Sequence, residues 1–354
     1  MPVSYIFKTT LMKHLAAVAL IILMLCSCSH NKADTVERAV YYWKNNEWSL
    51  SEAENAFVKT QGIQKIYVKF FEIEKNDIMG IIPVAKTGLH IYNRYDTLHI
   101  VPTVYIRNEV FLKCTRGSID TLADNVNFLI NKYVADSYRW AHEEIDEYQM
   151  DCDWTPGTKD NYFYFLKKLK ALSKKKLSCT LRLYPYKYPD KMGVPPVDNA
   201  MLMCYNLVNP LENHSKNSIL DINELRLYLT AKKYPVKLNV ALPAYSWMQV
   251  YQNNKFVKVI YTDTKQVKRI LKPEKPLWYT VTKDSVINQF YLRAGDRIKV
   301  EEVTANDIDR AIYEIKRGVA LDKNITVSLF HLDEQQLSRY TNEELSGFYS
   351  AFTK

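Results

Sequence analysis

The chain has 354 residues, with 48 lysines and arginines against 39 aspartates and glutamates and a formal charge of +9. Spread over that length the excess is a mildly basic surface, which excludes the dense footprint that nucleic acid requires; Lys174, Lys175 and Lys176, the densest basic run, read as a solvated helix C-terminus. Glycine is scarce, at 9 residues, the length suits one large domain or two small ones, and six cysteines at no metal-ligand spacing give no sign of a metal site.

Lys8 and Lys13 precede an apolar run at 15–25, which stops at Leu25-Cys26-Ser27-Cys28. That is the charged, apolar and small-residue order of a signal peptide, and the run is too short for a stable membrane span. Leu25-x-Ser27-Cys28 resembles a bacterial lipobox, which implies that Cys28 becomes the lipidated first residue of the mature chain. Residues 1–28 are then signal peptide and lipobox, and 29–38 a tether. Lipidation implies membrane attachment through Cys28 in the bacterial cell envelope, at the outer membrane. Ser29-His30-Asn31-Lys32 carries no acid, which favours a periplasm-facing position over the cell surface. An uncleaved N-terminal anchor is the alternative.

From residue 39 onward strand-like and helix-like runs alternate. A strand at 39–44 leads to a helix at 49–60, opened by Ser49-x-x-Glu52 with capping-box spacing. Strands at 64–73 and 99–107 are rich in β-branched and aromatic residues. A helix at 120–141 feeds a strand at 147–154, and a helix at 159–174 feeds strands at 177–183 and 200–206. Asn217-Ser218 reads as a cap before a helix at 221–232, followed by a strand at 236–244. A helix at 305–317, a strand at 325–331 and a helix at 333–352 complete the series. Eight strands with helices between most of them predict a (β/α)8 barrel over residues 39–354. Residues 248–304 interrupt it as a small β-rich insertion after the seventh strand, opening with a hairpin that turns at Asn253-Asn254. A doubly wound sheet is the competing architecture, but no Gly-rich phosphate loop follows any strand, and no nucleotide or other cofactor is expected.

The fourth strand carries Gln149-Met150-Asp151-Cys152-Asp153-Trp154-Thr155. Alternation puts Gln149, Asp151 and Asp153 on one face, with Met150 and Cys152 on the other. Buried carboxylates are costly unless paired or used, so this strand end is a candidate site. The other strand ends carry Trp43, Glu72, Arg107, Asn108, Glu109, Arg182, Tyr184, Tyr186, Tyr205, Asn206, Tyr245, Trp247, His331 and Asp333. Carboxylates beside aromatic faces suit a sugar. Candidate catalytic residues are Asp153, with Asp151 beneath it, and Glu72 and Glu109; candidate substrate contacts are Trp43, Gln149, Trp154, Tyr205, Asn206, Tyr245 and Trp247. The alternative for the two aspartates is an ion-pair network with Arg107 or Arg182. For Trp154, Tyr245 and Trp247 it is a hydrophobic lid, with stacking favoured for at least one because strand mouths are the more exposed. His331 is either a base or a satisfied histidine under the last helix.

Several of these motifs resemble family 18 glycoside hydrolases, the chitinase-type barrels. That family ends its fourth strand with Asp-x-x-Asp-x-Asp-x-Glu, and Asp151-x-Asp153 stands in the corresponding place. Met203-Cys204-Tyr205-Asn206 resembles its sixth-strand Met-x-Tyr-Asp, and Pro243-Ala244-Tyr245 its seventh-strand Pro-x-Tyr. The chain also looks like predicted bacterial lipoproteins of unassigned activity. The resemblance implies a barrel whose partner is a glycan or polysaccharide, with Asp151 and Asp153 orienting an acetamido group or polarising a water. Two positions depart: Tyr148 replaces the first aspartate, and Thr155 replaces the glutamate that protonates the leaving oxygen. Threonine cannot donate that proton, so hydrolysis would require Glu72 or Glu109 as a substitute acid. Three readings follow: a glycoside hydrolase-like envelope lipoprotein, a non-catalytic carbohydrate-binding pseudoenzyme, and an envelope scaffold without a glycan ligand.

Overall fold

The alternating runs close into a parallel barrel in a computed structural model that describes residues 32–45, 48–88, 98–136, 145–212, 215–261, 264–287 and 289–354. The expected signal peptide and Cys28 lie outside the described residues. In chain order β1 (Thr35–Tyr42) and β2 (Lys65–Asn76) come first, and β3 (Gly80–Val84) folds back antiparallel on the end of β2. Next come β4 (His99–Ile106), β5 (Glu147–Asp151), β6 (Lys176–Arg182), β7 (Asn199–Met203) and β8 (Lys237–Pro243). The chain then forms β9 (Trp247–Gln252), β10 (Lys255–Ile260), β11 (Leu271–Lys275), β12 (Trp278–Val281), β13 (Ser285–Ile287), β14 (Phe290–Leu292) and β15 (Arg297–Glu301), and returns to the barrel as β16 (Asn324–Phe330). β1 pairs in parallel with both β2 and β16, which closes an eight-strand ring in the order β1-β2-β4-β5-β6-β7-β8-β16.

Helices cover the ring with one apolar face each. Ile119, Leu122, Val126 and Ile130 are buried on the helix Arg116–Asp136, and Ile308, Ala311, Ile312 and Ile315 on Ala305–Gly318, at the three- and four-residue spacing that one helical face requires. The barrel interior is unusually polar. Lys65 Nζ lies 2.9 Å from Glu37 and 3.4 Å from Glu147, tying β1, β2 and β5 together near their starts. Above them Tyr41 donates to Gln149 Oε1 at 2.8 Å and stacks on Tyr67 at 4.9 Å between centroids.

Three local expectations are corrected. The first helix is Glu52–Thr60, capped by Ser51 and Glu54, because that pair, two residues later than Ser49-x-x-Glu52, makes the reciprocal bonds. Asn217 is not a helix cap: its Oδ1 accepts from Ile219 N, and Asp221 caps the helix Ile222–Tyr228. The C-terminal run at 333–352 divides into Glu334–Leu337 and Asn342–Ser350, because Thr341 adopts an extended backbone and starts a new capping box with Glu344. The β2–β3 hairpin fell in what the sequence presents as a polar excursion.

Residues between β8 and the helix Ala305–Gly318 form a five-stranded antiparallel sheet in the order β10-β9-β15-β12-β11, with β13 and β14 as a separate hairpin. Asn253 and Asn254, at φ 50° and 60°, make the turn between β9 and β10. Glu301 fastens this sheet to the barrel. Its carboxylate accepts from Ser218 N at 2.7 Å, Ser218 Oγ at 2.8 Å, Trp247 Nε1 at 2.6 Å and Gln249 Nε2 at 2.7 Å, and lies 2.8 Å from the Lys299 ammonium. Both members of that ion pair are fully buried. Glu301→Ala strands a buried ammonium and four donors, and lowers stability by about 3–5 kcal/mol in chemical denaturation. Lys299→Met costs less, because Glu301 keeps its other donors.

Candidate functional site

The alternation on β5 places its polar face inside the barrel, and the bonds made there differ by depth. Asp151 is 7% exposed, and its Oδ1 accepts from Thr180 Oγ1 at 2.5 Å. Asp153 lies beyond the strand end with its side chain 45% exposed, and Arg182 grips both its oxygens, Nε at 2.6 Å and Nη2 at 3.0 Å. The paired-carboxylate alternative therefore holds for Asp153 and not for Asp151, and Arg107 turns instead to Glu74 at 3.4 Å. Burial pushes the Asp151 carboxyl up from 3.8 to about 6; the Asp153 charge and, more weakly, Glu72 add to this, while Arg182 and the Thr180 hydroxyl oppose it. Met150 and Cys152 are buried on the opposite face, and burial raises the Cys152 thiol well above its ordinary range. Cys114, Cys152, Cys179 and Cys204 are free thiols.

A cleft of about 380 Å³ opens where β5, β6 and β7 end. Asp153 and Arg182 lie on one side of it with Trp154 and Thr155, Tyr205 and Asn206 on another, and Leu183, Tyr184, Pro185 and Met192 supply apolar wall. The Tyr205 ring is 1% exposed, yet its hydroxyl has no hydrogen-bond partner among the described residues. Asn206, which lines the cleft, accepts at its Oδ1 from Tyr245 OH at 2.6 Å. The Thr155 hydroxyl is 3.2 Å from Thr158 Oγ1, which donates to Asn108 at 2.5 Å, so this network occupies the position where the family resemblance implies an acid.

The structure divides the other expected site residues among different places. Gln149 sits below the mouth, bonded to Tyr41. Glu72 pairs with Lys69 at 2.5 Å, and Glu109 is exposed on the short 3-10 turn Asn108–Phe111; neither lines the cleft. Trp43, Tyr245 and Trp247 gather on the far side of the mouth around Phe330, whose ring lies 5.7 Å from Trp43, 5.7 Å from Tyr245 and 5.4 Å from Tyr205. Exposure at this mouth runs against expectation. Trp154 and Tyr245 are each only 4% exposed, because the Trp154 indole N–H finds Met192 O at 3.0 Å and the ring packs on Tyr162, while Tyr245 packs among Phe330, Trp247 and Tyr205. The open ring in the cleft is Tyr184, 40% exposed. His331, beside Phe330 and Tyr245, is held down to about 4 chiefly by burial, with Lys44 helping and Asp333 opposing, so it stands neutral at neutral pH with its Nδ1 buried and unbonded.

Three contributors received no role from sequence. Tyr184 was visible only as a decoration at the end of the fifth strand, and Thr180 gave no signal beyond sitting two residues before Arg182, the ion-pair partner the sequence does offer. Phe330 looked like ordinary strand. Among the described residues, no group of three His, Cys, Asp or Glu side chains is placed to hold a metal ion, and no helix is long and apolar enough to cross a membrane.

No family model and no curated protein matches the chain. Solved structures do share its architecture. The spore cortex-lytic enzyme SleL of Bacillus megaterium QM B1551 superposes with a TM-score of 0.51 at 14% identity, covering 91% of this chain and 75% of that one. The corresponding enzyme of Bacillus cereus gives 0.49 at 14% identity, covering 90% and 75%. A tamarind chitinase like lectin gives 0.43 at 10% identity, covering 87% and 100%. At these identities the likeness is one of fold: a closed eight-strand parallel barrel, as the strand-end motifs imply.

The buried Asp151 carboxyl gives a pH test. Its folded value is raised, so the stability it contributes is present below its ordinary value of 3.8 and is lost as the pH rises through about 6. Asp151→Asn keeps an acceptor for Thr180 and removes the buried charge. It stabilises the protein by about 1–3 kcal/mol near pH 7.5 and by much less near pH 4, read from paired thermal melts.

Proposed function

We propose that the barrel binds a glycan at the mouth of β5, β6 and β7 and does not hydrolyse it. One observation carries this reading: among the described residues, Asp153 is the only carboxylate lining the cleft, and Arg182 holds both its oxygens. A carboxylate clamped in that way is a fixed hydrogen-bond acceptor. A glycosidase of the usual kind needs a second carboxyl group across the scissile bond, and the threonine at 155 cannot supply it.

As a binding site the arrangement is coherent. Sugars present hydroxyls around the ring edge and C–H groups on the ring faces. The Asp153–Arg182 pair, the unsatisfied Tyr205 hydroxyl and the Asn206 amide offer donors and an acceptor to the edge, and the exposed Tyr184 ring offers a flat apolar face. The hydrolytic alternative keeps one support, the Asp151 carboxyl raised to about 6, but Asp151 lies beneath the cleft and spends an oxygen on Thr180. The same reading takes the chain as an envelope lipoprotein tethered through Cys28, on the strength of the N-terminal pattern.

A glycan array probed with the full chain tests the cleft. Bound sugars are recovered intact, Tyr205→Phe weakens binding roughly threefold to tenfold through one lost hydrogen bond, and Tyr184→Ala weakens it by about tenfold or more. Cleaved ligand, or binding indifferent to both substitutions, would contradict the proposal. For the tether, Cys28→Ser abolishes incorporation of a labelled fatty acid into the protein; undiminished labelling would remove it.

A further inference from the structure

The eight barrel strands run in one direction, so their first residues lie together at the end of the ring opposite the mouth. Lysines gather at this end. Some of them are spent on the aspartates of the segments that lead into the strands. Lys176, first in β6, pairs with Asp146 at 3.2 Å, Lys233 with Asp322 at 3.9 Å and Lys323 with Asp34 at 3.7 Å, while Asp198 pairs with Lys170 at 2.6 Å. Those four aspartates are the only acids in the described parts of the lead-in segments. Lys32, Lys174, Lys232, Lys237 and the C-terminal Lys354 are left over, each exposed and without an ion pair among the described residues.

Helix polarity explains one of these five. Lys174 is the C-cap of the helix Lys159–Ser173, where a cation meets the negative end of the dipole. It does not explain Lys32, which precedes β1, or Lys232 and Lys237, which lie beyond the end of the helix Ile222–Tyr228 on the way into β8. At the mouth the charges balance instead, Lys69 against Glu72 and Arg182 against Asp153. The chain also enters the barrel at the basic end, where Ala33 N donates to Phe352 O at 2.9 Å. Cys28 precedes Ala33 by five residues, a reach of at most about 18 Å.

We propose that the strand-start end of the barrel lies on an anionic phospholipid surface, with Lys32, Lys174, Lys232 and Lys237 meeting headgroup phosphates and the mouth turned away from the bilayer. β1, β6 and β8 stand apart in the ring, so these lysines are spread over a broad end face. A plane of phosphates suits that spread better than double-stranded nucleic acid, which concentrates its charge along one line. The choice of a bilayer rests on the reading of Cys28 as a lipid anchor: a link this short holds the basic end, and not the mouth, close to the membrane. Acyl chain and basic face then act as two attachment signals on one side of the molecule, and the glycan cleft opens on the other.

The test measures binding of the full chain carrying Cys28→Ser, which has no acyl chain, to vesicles of phosphatidylglycerol and of phosphatidylcholine and to double-stranded DNA. The same chain with Lys174→Gln, Lys232→Gln and Lys237→Gln added differs only at exposed positions, and shares residues 1–173, so whatever the N-terminal run contributes is equal in both. The parent chain binds phosphatidylglycerol at least about tenfold more tightly than phosphatidylcholine at low salt, with an advantage that falls as salt rises. The three added substitutions remove most of that advantage and leave the thermal melt unchanged. Equal binding to the two vesicles, an advantage indifferent to the three lysines, or DNA bound as tightly as phosphatidylglycerol would overturn the inference. The anchor is scored separately by fatty-acid labelling of the wild type: an advantage that depends on the three lysines supports the basic face even where no label is incorporated, which removes the anchor alone, and labelled wild type beside an indifferent triple substitution overturns the face and leaves the anchor.

Discussion

A closed parallel barrel offers its interior no bulk water, so polar side chains turned inward depend on one another for partners, and this constraint shapes the whole molecule. Lys65 satisfies Glu37 and Glu147 near the strand starts, Tyr41 satisfies Gln149 above them, and Thr180 satisfies Asp151 nearer the mouth. Where the interior opens, Asp153 and Arg182 meet in partial solvent, and the Tyr205 hydroxyl has no hydrogen-bond partner among the described residues. Unpartnered atoms also remain deeper in the barrel, at Tyr67 OH, Glu147 Oε1 and Ser328 Oγ, so what marks the mouth as the place for a ligand is the cleft itself.

Depth along the barrel axis separates binding from hydrolysis. A proton donor for glycoside cleavage must sit at the reacting oxygen with a raised carboxyl. Here the raised carboxyl, Asp151, and the accessible one, Asp153, are different residues. Depth gives the first its high value but keeps it beneath the cleft, and the second has both oxygens engaged by Arg182, so neither meets both requirements. The insertion sheet is tied to the same mouth. Glu301 fixes it against Ser218, and through Trp247 that carboxylate also sets the angle of an indole beside the mouth.

The barrel was legible in the sequence because its strands announce themselves separately: eight apolar runs, with polar decoration gathered at their C-terminal ends, need no long-range information to be seen. The Gln149, Asp151 and Asp153 face was legible for the same reason, since alternation is local. What could not be read were properties set by neighbours distant in sequence. Thr180 lies 29 residues from the aspartate it donates to. Trp154 and Tyr245 are buried because Met192 and Phe330 close over them, a fact carried by no motif. The strand order of the insertion sheet, β9 beside β15 and β15 beside β12, is likewise not encoded by composition. Capping errors were of another kind: Ser49 and Ser51 offer the same spacing to a glutamate, and only the backbone conformation chooses between them.

The most direct measurement is prolonged incubation of the full chain with a glycan it binds, in heavy-oxygen water, followed by mass spectrometry of the recovered sugar. Intact glycan without incorporated label is the outcome expected of a cleft whose one carboxylate among the described residues is clamped by Arg182. Shorter chains with heavy oxygen at their new reducing ends would show that a proton donor operates at this mouth, and would contradict the account.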